Sequence, residues 1–378
     1  MRPGEEPPVT TGEREERWVE NAPRDMTPAL GARGGPARWR RAAEGARVAL
    51  AKRAFGDMRW SYLYGPDTSY AGERPAAGSP PPAEEMPERI IGPIMKAPVW
   101  TWEVPLYFWF GGIAAGSSFV ALACDMAGDE RSAITARKVA MAALLPSPPL
   151  LIMDLGRPAR FANMLRLVKP RSPMNMGAWC LTAFGATGAA ALVADELRLR
   201  RAGRALGAVN AALGGYLGSY TGVLLGVTAV PLWARSRLFL GPIFVATATA
   251  TGAAATRLAL VAAGLPDGHR TRNALGTVET SAMVIELILS TVNERRLGPL
   301  GDALETGHAG RLFRGAKWAV RTGVGLRLLR KRGGVAAHHV ASVLYLGAGL
   351  AFRFAWVEAG KVSAQDDRAV ALMSRRDG

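Results

Sequence analysis

The chain has 378 residues and a formal net charge of +16, enough length for two soluble domains or one multi-span membrane domain. Its two cysteines, Cys124 and Cys180, form no CxxC and both lie inside apolar runs, which excludes an iron–sulfur cluster or a zinc ribbon on this chain. The positive charge arises almost wholly after Val104, in short basic stretches between apolar ones, whereas a nucleic-acid binder gathers its charge on one soluble face, so no nucleic-acid partner is expected.

In chain order, residues 1–96 read as a polar, partly disordered N-terminal extension whose acids and bases nearly cancel. Within it, "GARGGPARWRRAAEGARVALAKRAF" (31–55) predicts one basic helix, and the next stretch gathers Trp60, Tyr62, Tyr64 and Tyr70. "GERPAAGSPPPAEEMPE" is too rich in proline for a regular element. The start lacks the short apolar stretch of a cleavable signal peptide, which points to a cytoplasmic N-terminus. Insertion then relies on the first internal span.

From residue 97 to 361 the pattern changes to an all-α, polytopic transmembrane bundle of about eight spans, expected as two four-helix halves. Val104–Cys124, Ser172–Ala194, Ala205–Ala234, Leu238–Thr256 and Gly333–Phe352 carry no charge, and about 20 such residues cross a ~30 Å hydrocarbon core. A soluble helix would show a polar stripe every three or four residues; these runs show none. Spans are expected near 104–125, 138–155, 173–194, 205–229, 238–262, 274–292 and 336–358. An eighth, 310–328, is doubtful because it contains Lys317, Arg321 and Arg327, each expensive in lipid. It reads equally as an amphipathic helix lying on the interface. The second span carries Pro146, Pro148 and Pro149, which predicts a mid-membrane kink. Residues 362–378 form a short polar tail.

Glycine and alanine fill the spans ("FGGIAAGSS", "LGGYLGSYTG", "TATATGAAAT") and permit close helix–helix approach. Few ionisable residues lie within them: Asp154, Arg257, Glu279, Glu286 and Arg353, with Glu103 at the mouth of the first. Glu279 and Glu286 are seven apart, hence on one helical face two turns apart. They read as a proton relay or as members of structural pairs, with Arg257 on the preceding span a possible partner. Asp154 and Arg157 end the second span where the first one begins with Trp100, Trp102, Glu103 and Tyr107. Antiparallel neighbours place that start and that end on one membrane face. An acid, a base and aromatics at one mouth suit a lipid-soluble ligand with a polar head.

Three stretches, "APVWTWEVPLYFWFGGIAAGSS", "DLGRPARFANMLRLVKPRSPMNMGAW" and "GSYTGVLLGVTAVPLW", resemble in order the NrfD family, the membrane subunits of polysulfide-reductase-type complexes. "LYLGAGLAFRFAWVEAGK" is similar to that family's last span. The resemblance implies a quinone- or quinol-binding subunit in the cell's inner (plasma) membrane, without haem, that takes menaquinone or ubiquinone. It implies a ferredoxin-like 4Fe-4S partner, which in turn serves a molybdopterin-type catalytic subunit. It assigns Tyr220, Asp154, Arg157, Glu103 and Tyr107 to the quinone, with Asp154 as proton acceptor or relay. The charged 310–328 region departs from the family's pattern. Histidine usage agrees with a haem-free chain: His269 and His308 fall in loops, while His338 and His339 face no further histidine across the bundle. Two rivals stay open. A transporter or proton-conducting subunit would use Glu279, Glu286 and the proline-rich span, and predicts internal repeats that the sequence does not display. A purely structural anchor predicts assembly without quinone binding. Loops on the two faces carry comparable Lys and Arg counts, so the positive-inside rule assigns no side.

Overall fold

The structure, a computed structural model, describes residues 94–154, 164–328 and 330–376. The expectations for the tail before residue 94, and for Arg157, lie outside the described residues. Among the described residues every regular element is helical.

Helix α1 (Glu103–Met126) begins on Glu103, whose charge suits a helix N-terminus, and ends in a turn with Gly128 at φ 75°. Asp129 then caps α2 (Glu130–Leu144), accepting from the Ser132 N–H at 3.1 Å. Burial raises the Asp129 carboxyl, but hydrogen bonds from Ser132 and Thr271 outweigh it and hold the group below its ordinary range. The second expected span is two helices, not one kinked one. α2 stops at Leu144, and α3 (Ser147–Asp154) restarts after Pro146. Pro148 and Pro149 therefore fall in a first turn, where a missing N–H breaks no helical bond.

Ser172 and Pro173 start α4 (Pro173–Glu196) as N-cap and first helical residue. A tight turn at Arg198, φ 56°, leads into α5 (Arg200–Gly226). Pro231 starts α6 (Pro231–Ala262), and α7 (Arg270–Leu297) runs on through a 3₁₀ turn and a single helical turn to Glu305. α8 (Gly307–Leu328) and α9 (Arg330–Gln365) follow, then α10 (Asp367–Arg376). Gly334 sits at φ 61°, ψ −168°, a conformation essentially reserved for glycine, so the last long helix effectively begins beyond it. It also runs past the expected limit of 358.

Five helices are long and apolar enough to cross a membrane: α1, α4, α6, α7 with its extension to Glu305, and α9 from Gly334. The chain is a multi-pass membrane protein. α5, with 27 residues, and α8, with 22, have the length but are diluted by small or charged residues. The charges that made 310–328 doubtful have partners: Lys317 pairs with Glu294, and Arg327 with Glu279. Only Arg321 of the three turns to the outside, its guanidinium 5.5 Å from the Trp318 ring.

Helices α1 to α5 pack with one another, as do α6 to α9, and α1 and α5 both lie against α6. The α1–α6 crossing is nearly backbone on backbone. A Cβ on Gly116 would overlap the Ala248 carbonyl, and one on Gly252 the Gly116 backbone. At the end where α1 meets α2, the buried Arg137 on α2 joins Asp125 of α1 and, at 2.8 Å, Asp195 of α4. That cluster ties three helices together at this end of the first half.

Candidate functional site

At the opposite end, the start of α1, the end of α3, the start of α4 and the end of α5 converge on one cavity. Its wall is apolar: Trp100, Phe108, Leu151, Leu181, Leu217 and Leu224. Five polar side chains break that wall: the hydroxyls of Ser147 and Thr221, and the larger groups Tyr107 from α1, Asp154 from α3 and Tyr220 from α5. Tyr107 lies close enough to feel both Tyr220 and Asp154 electrostatically, and Tyr216 and Tyr220 have ring centroids 6.0 Å apart. Two phenols and a carboxylate around greasy walls can hydrogen-bond carbonyl oxygens and accept a proton while keeping water scarce.

Glycine makes the room for Tyr220. A Cβ on Gly177 of α4 would fall inside the Tyr220 ring and against its hydroxyl, so Gly177 lets the phenol lie flat on the helix. Replacing Gly177 with Ala is therefore expected to push Tyr220 out of place and weaken ligand binding at this cavity by at least about tenfold, with a stability cost of about 1–3 kcal/mol. Ligand titration beside thermal unfolding of the same preparation separates the two effects.

The enclosed space is ≈ 40 Å³, little more than the ~30 Å³ share of one water molecule. A ring-sized ligand would fit only if lining side chains moved aside. Met174 is the one built to do so: it lines the cavity, is 42 % exposed, and has an unbranched, flexible side chain.

Residues 164–172, the described part of the basic return loop, are held by the buried side chain of Asn175. Asn175, next to Met174, accepts from the Lys169 N–H at 2.6 Å. Its amide donates to the carbonyls of Met164 at 2.6 Å and Leu167 at 2.9 Å. Ser172 caps the same residue's N–H at 3.4 Å, and the Trp179 indole donates to Leu167 at 3.4 Å. The fixed loop presents Leu167, Val168, Lys169 and Arg171 outward, a patch of mixed apolar and basic character. Trp100, before α1, stacks on Trp233 of α6 at 5.1 Å, and Trp233 donates to the Trp356 carbonyl at 2.9 Å. The aromatic wall is thus braced against the second half.

The remaining candidates separate. Glu103 stands one turn before Tyr107, hydrogen-bonded by Thr101, and is outside the cavity wall. Glu279 and Glu286 lie on α7 in the other half. Glu279 is wholly buried, pairs with Arg327 of α8 and accepts from Ser342 of α9 at 3.0 Å. The partner suggested by chain order, Arg257, reaches it only through Ser342, to which it donates at 3.1 Å. Glu286 accepts no hydrogen bond among the described residues and faces a void of ≈ 10 Å³ beside Lys317 and Gly349. Arg353 of α9 is buried in the same half, its guanidinium 5.5 Å over Phe244.

Sequence reasoning missed Gly177 and Asn175. Asn175 left a faint signal, a polar side chain three residues after a helix-capping serine; Gly177 left none. A family model described as "Polysulphide reductase, NrfD" matches residues 92–292, more than half of the chain and all of α1 to α6. The cavity residues and both α7 glutamates fall inside that match. No curated protein matches the chain.

Proposed function

Because the chain belongs to the NrfD polysulphide reductase family, membrane subunits of quinone-linked oxidoreductases, we propose that it is the quinone- or quinol-binding subunit of such a complex. The observation carrying this reading is the convergence of Tyr107, Asp154 and Tyr220 on one apolar cavity beside loop residues 164–172, which Asn175 holds in place.

Menaquinone or ubiquinone bound there would supply two-electron, two-proton redox chemistry. The phenol hydroxyls of Tyr220 and Tyr107 orient carbonyl oxygens by donating hydrogen bonds. The Asp154 carboxylate takes up or returns a proton, matching the electrons that pass. Arg157 and Glu103 are assigned to the mouth, as second groups holding charge near the head. The apolar wall excludes bulk water, so that proton exchange runs through Asp154. Leu167, Val168, Lys169 and Arg171 form the docking face for a ferredoxin-like 4Fe-4S subunit, which passes electrons to a molybdopterin-type catalytic subunit. The assembly sits in the cell's inner membrane, with residues 1–96 as a polar extension, 97–361 as the membrane domain and 362–378 as a tail.

Titrating the purified full chain with a short-tailed menaquinone analogue tests the reading through tryptophan fluorescence, since Trp100 lines the cavity. Saturable quenching is expected. Tyr220→Phe should weaken it about 5- to 15-fold, the worth of one hydrogen bond. A flat titration with the unaltered chain removes the proposal.

Glu286 motivates a second reading, a proton-conducting role for α7. The buried polar residues Glu279, Glu286, Ser290 and Asn293 follow one another along that helix, and a buried acid without a hydrogen bond is expensive unless it carries a proton.

A further inference from the structure

The second half holds a charge imbalance at the end away from the aromatic cavity. A cavity of ≈ 410 Å³ opens there, where the start of α7 meets α8 and α9, and its lining includes Arg257, Arg272, Arg327, Asp267, Asn273 and Thr277. Three guanidinium groups meet two carboxylates. Arg272 takes Asp267 at 2.5 Å and also donates to the Leu265 carbonyl at 2.5 Å. Arg327 takes Glu279.

Arg257 is left over. It is 4 % exposed and donates from Nη1 to the His338 carbonyl and the Ser342 hydroxyl, each at 3.1 Å. Its Nε finds no acceptor. Among the described residues no carboxylate pairs with it, and Asp267 attracts it only at longer range. His339 lies 3.5 Å away, offering a ring nitrogen and no negative charge. A buried cation in this position is costly unless an anion answers it, and the space beside it has the size of a small-molecule site.

We propose that this cavity binds a phosphate-type oxyanion, which supplies the counter-charge that Arg257 lacks. Arg272 and Arg327 add positive field, while Asn273 and Thr277 stand on the accessible wall; the Thr277 hydroxyl, which donates to the Asn273 carbonyl at 3.3 Å, would have to turn to reach an oxyanion. The oxyanion is either the phosphodiester of an anionic lipid at the membrane surface, which basic pockets between membrane helices suit, or free phosphate. The site is in a different half from the quinone cavity and at the other end of the bundle, so neither proposal needs the other.

The test uses the purified full chain in a neutral detergent and follows its thermal unfolding. Inorganic phosphate and phosphatidylglycerol are added separately, with chloride and phosphatidylcholine as controls. A saturable rise in the unfolding midpoint with phosphatidylglycerol alone assigns a lipid headgroup, and a rise with phosphate alone assigns a soluble anion; either supports the site. Thr277→Glu and Asn273→Glu put a negative charge on the accessible wall without touching the buried arginines. Each should weaken the apparent affinity at least about tenfold, and Arg257→Gln should remove the response. Quinone-analogue binding by the same variants should stay unchanged. No rise with either additive, or a Thr277→Glu chain that responds like the unaltered one, overturns the proposal.

Discussion

Asp154→Asn is expected to lower quinol-linked turnover by about 10²–10⁴-fold, the contribution of a positioned acid–base group, while the membrane complex still assembles. The substitution is nearly isosteric and keeps a polar side chain that can hydrogen-bond. It loses only the ability to hold and release a proton. Asp154 ends α3 and is only partly buried, so the exchange strands no buried charge and costs little stability. Binding of a quinone analogue should therefore persist while turnover fails. That combination distinguishes a proton-handling group from a packing residue, whose loss would weaken both. The measurement is quinol oxidation by the assembled complex with a soluble electron acceptor, beside the fluorescence titration. An Asn variant with normal turnover would leave Asp154 as a wall residue and move proton handling elsewhere.

Much of this arrangement was legible before folding, for identifiable reasons. Charge-free runs announce membrane helices because charge is expensive in lipid, and α1, α4, α6 and α9 follow such runs closely, whereas α7 has the length and hydropathy of a span although it carries Glu279 and Glu286. Antiparallel succession brings Tyr107 and Asp154 to one end, and the family resemblance adds Tyr220. What stayed hidden depends on side chains far apart in sequence. The charges of α8 looked unfit for a membrane helix because their partners, Glu294 and Glu279, sit on α7. Gly177 looked like any small residue until the Tyr220 ring was laid across it. The proline cluster of the second span implied a bend, yet its spacing puts two prolines in the first turn of α3, where a break costs less than a kink.

The Arg327–Glu279 pair yields the largest stability effect. Arg327→Met leaves Glu279 wholly buried without its cation, still accepting from Ser342, and should cost about 3–5 kcal/mol. Glu279→Gln has a different fault. It leaves Arg327 beside the already uncompensated Arg257, so two guanidinium groups share Ser342 without a carboxylate between them. It too should destabilise the chain. In the double variant, Arg327→Met with Glu279→Gln, the charge lost on each side balances, the excess returns to that of Arg257 alone, and most of the stability should return. Thermal unfolding of the four chains completes a double-mutant cycle with a strong favourable coupling term. The same four chains decide between the two meanings of an acid at this depth. If Glu279 is structural, the double variant recovers proton-coupled quinol turnover in reconstituted vesicles along with its fold. If Glu279 instead passes protons, the double variant regains its stability and still moves none, because no carboxyl remains at that level of α7.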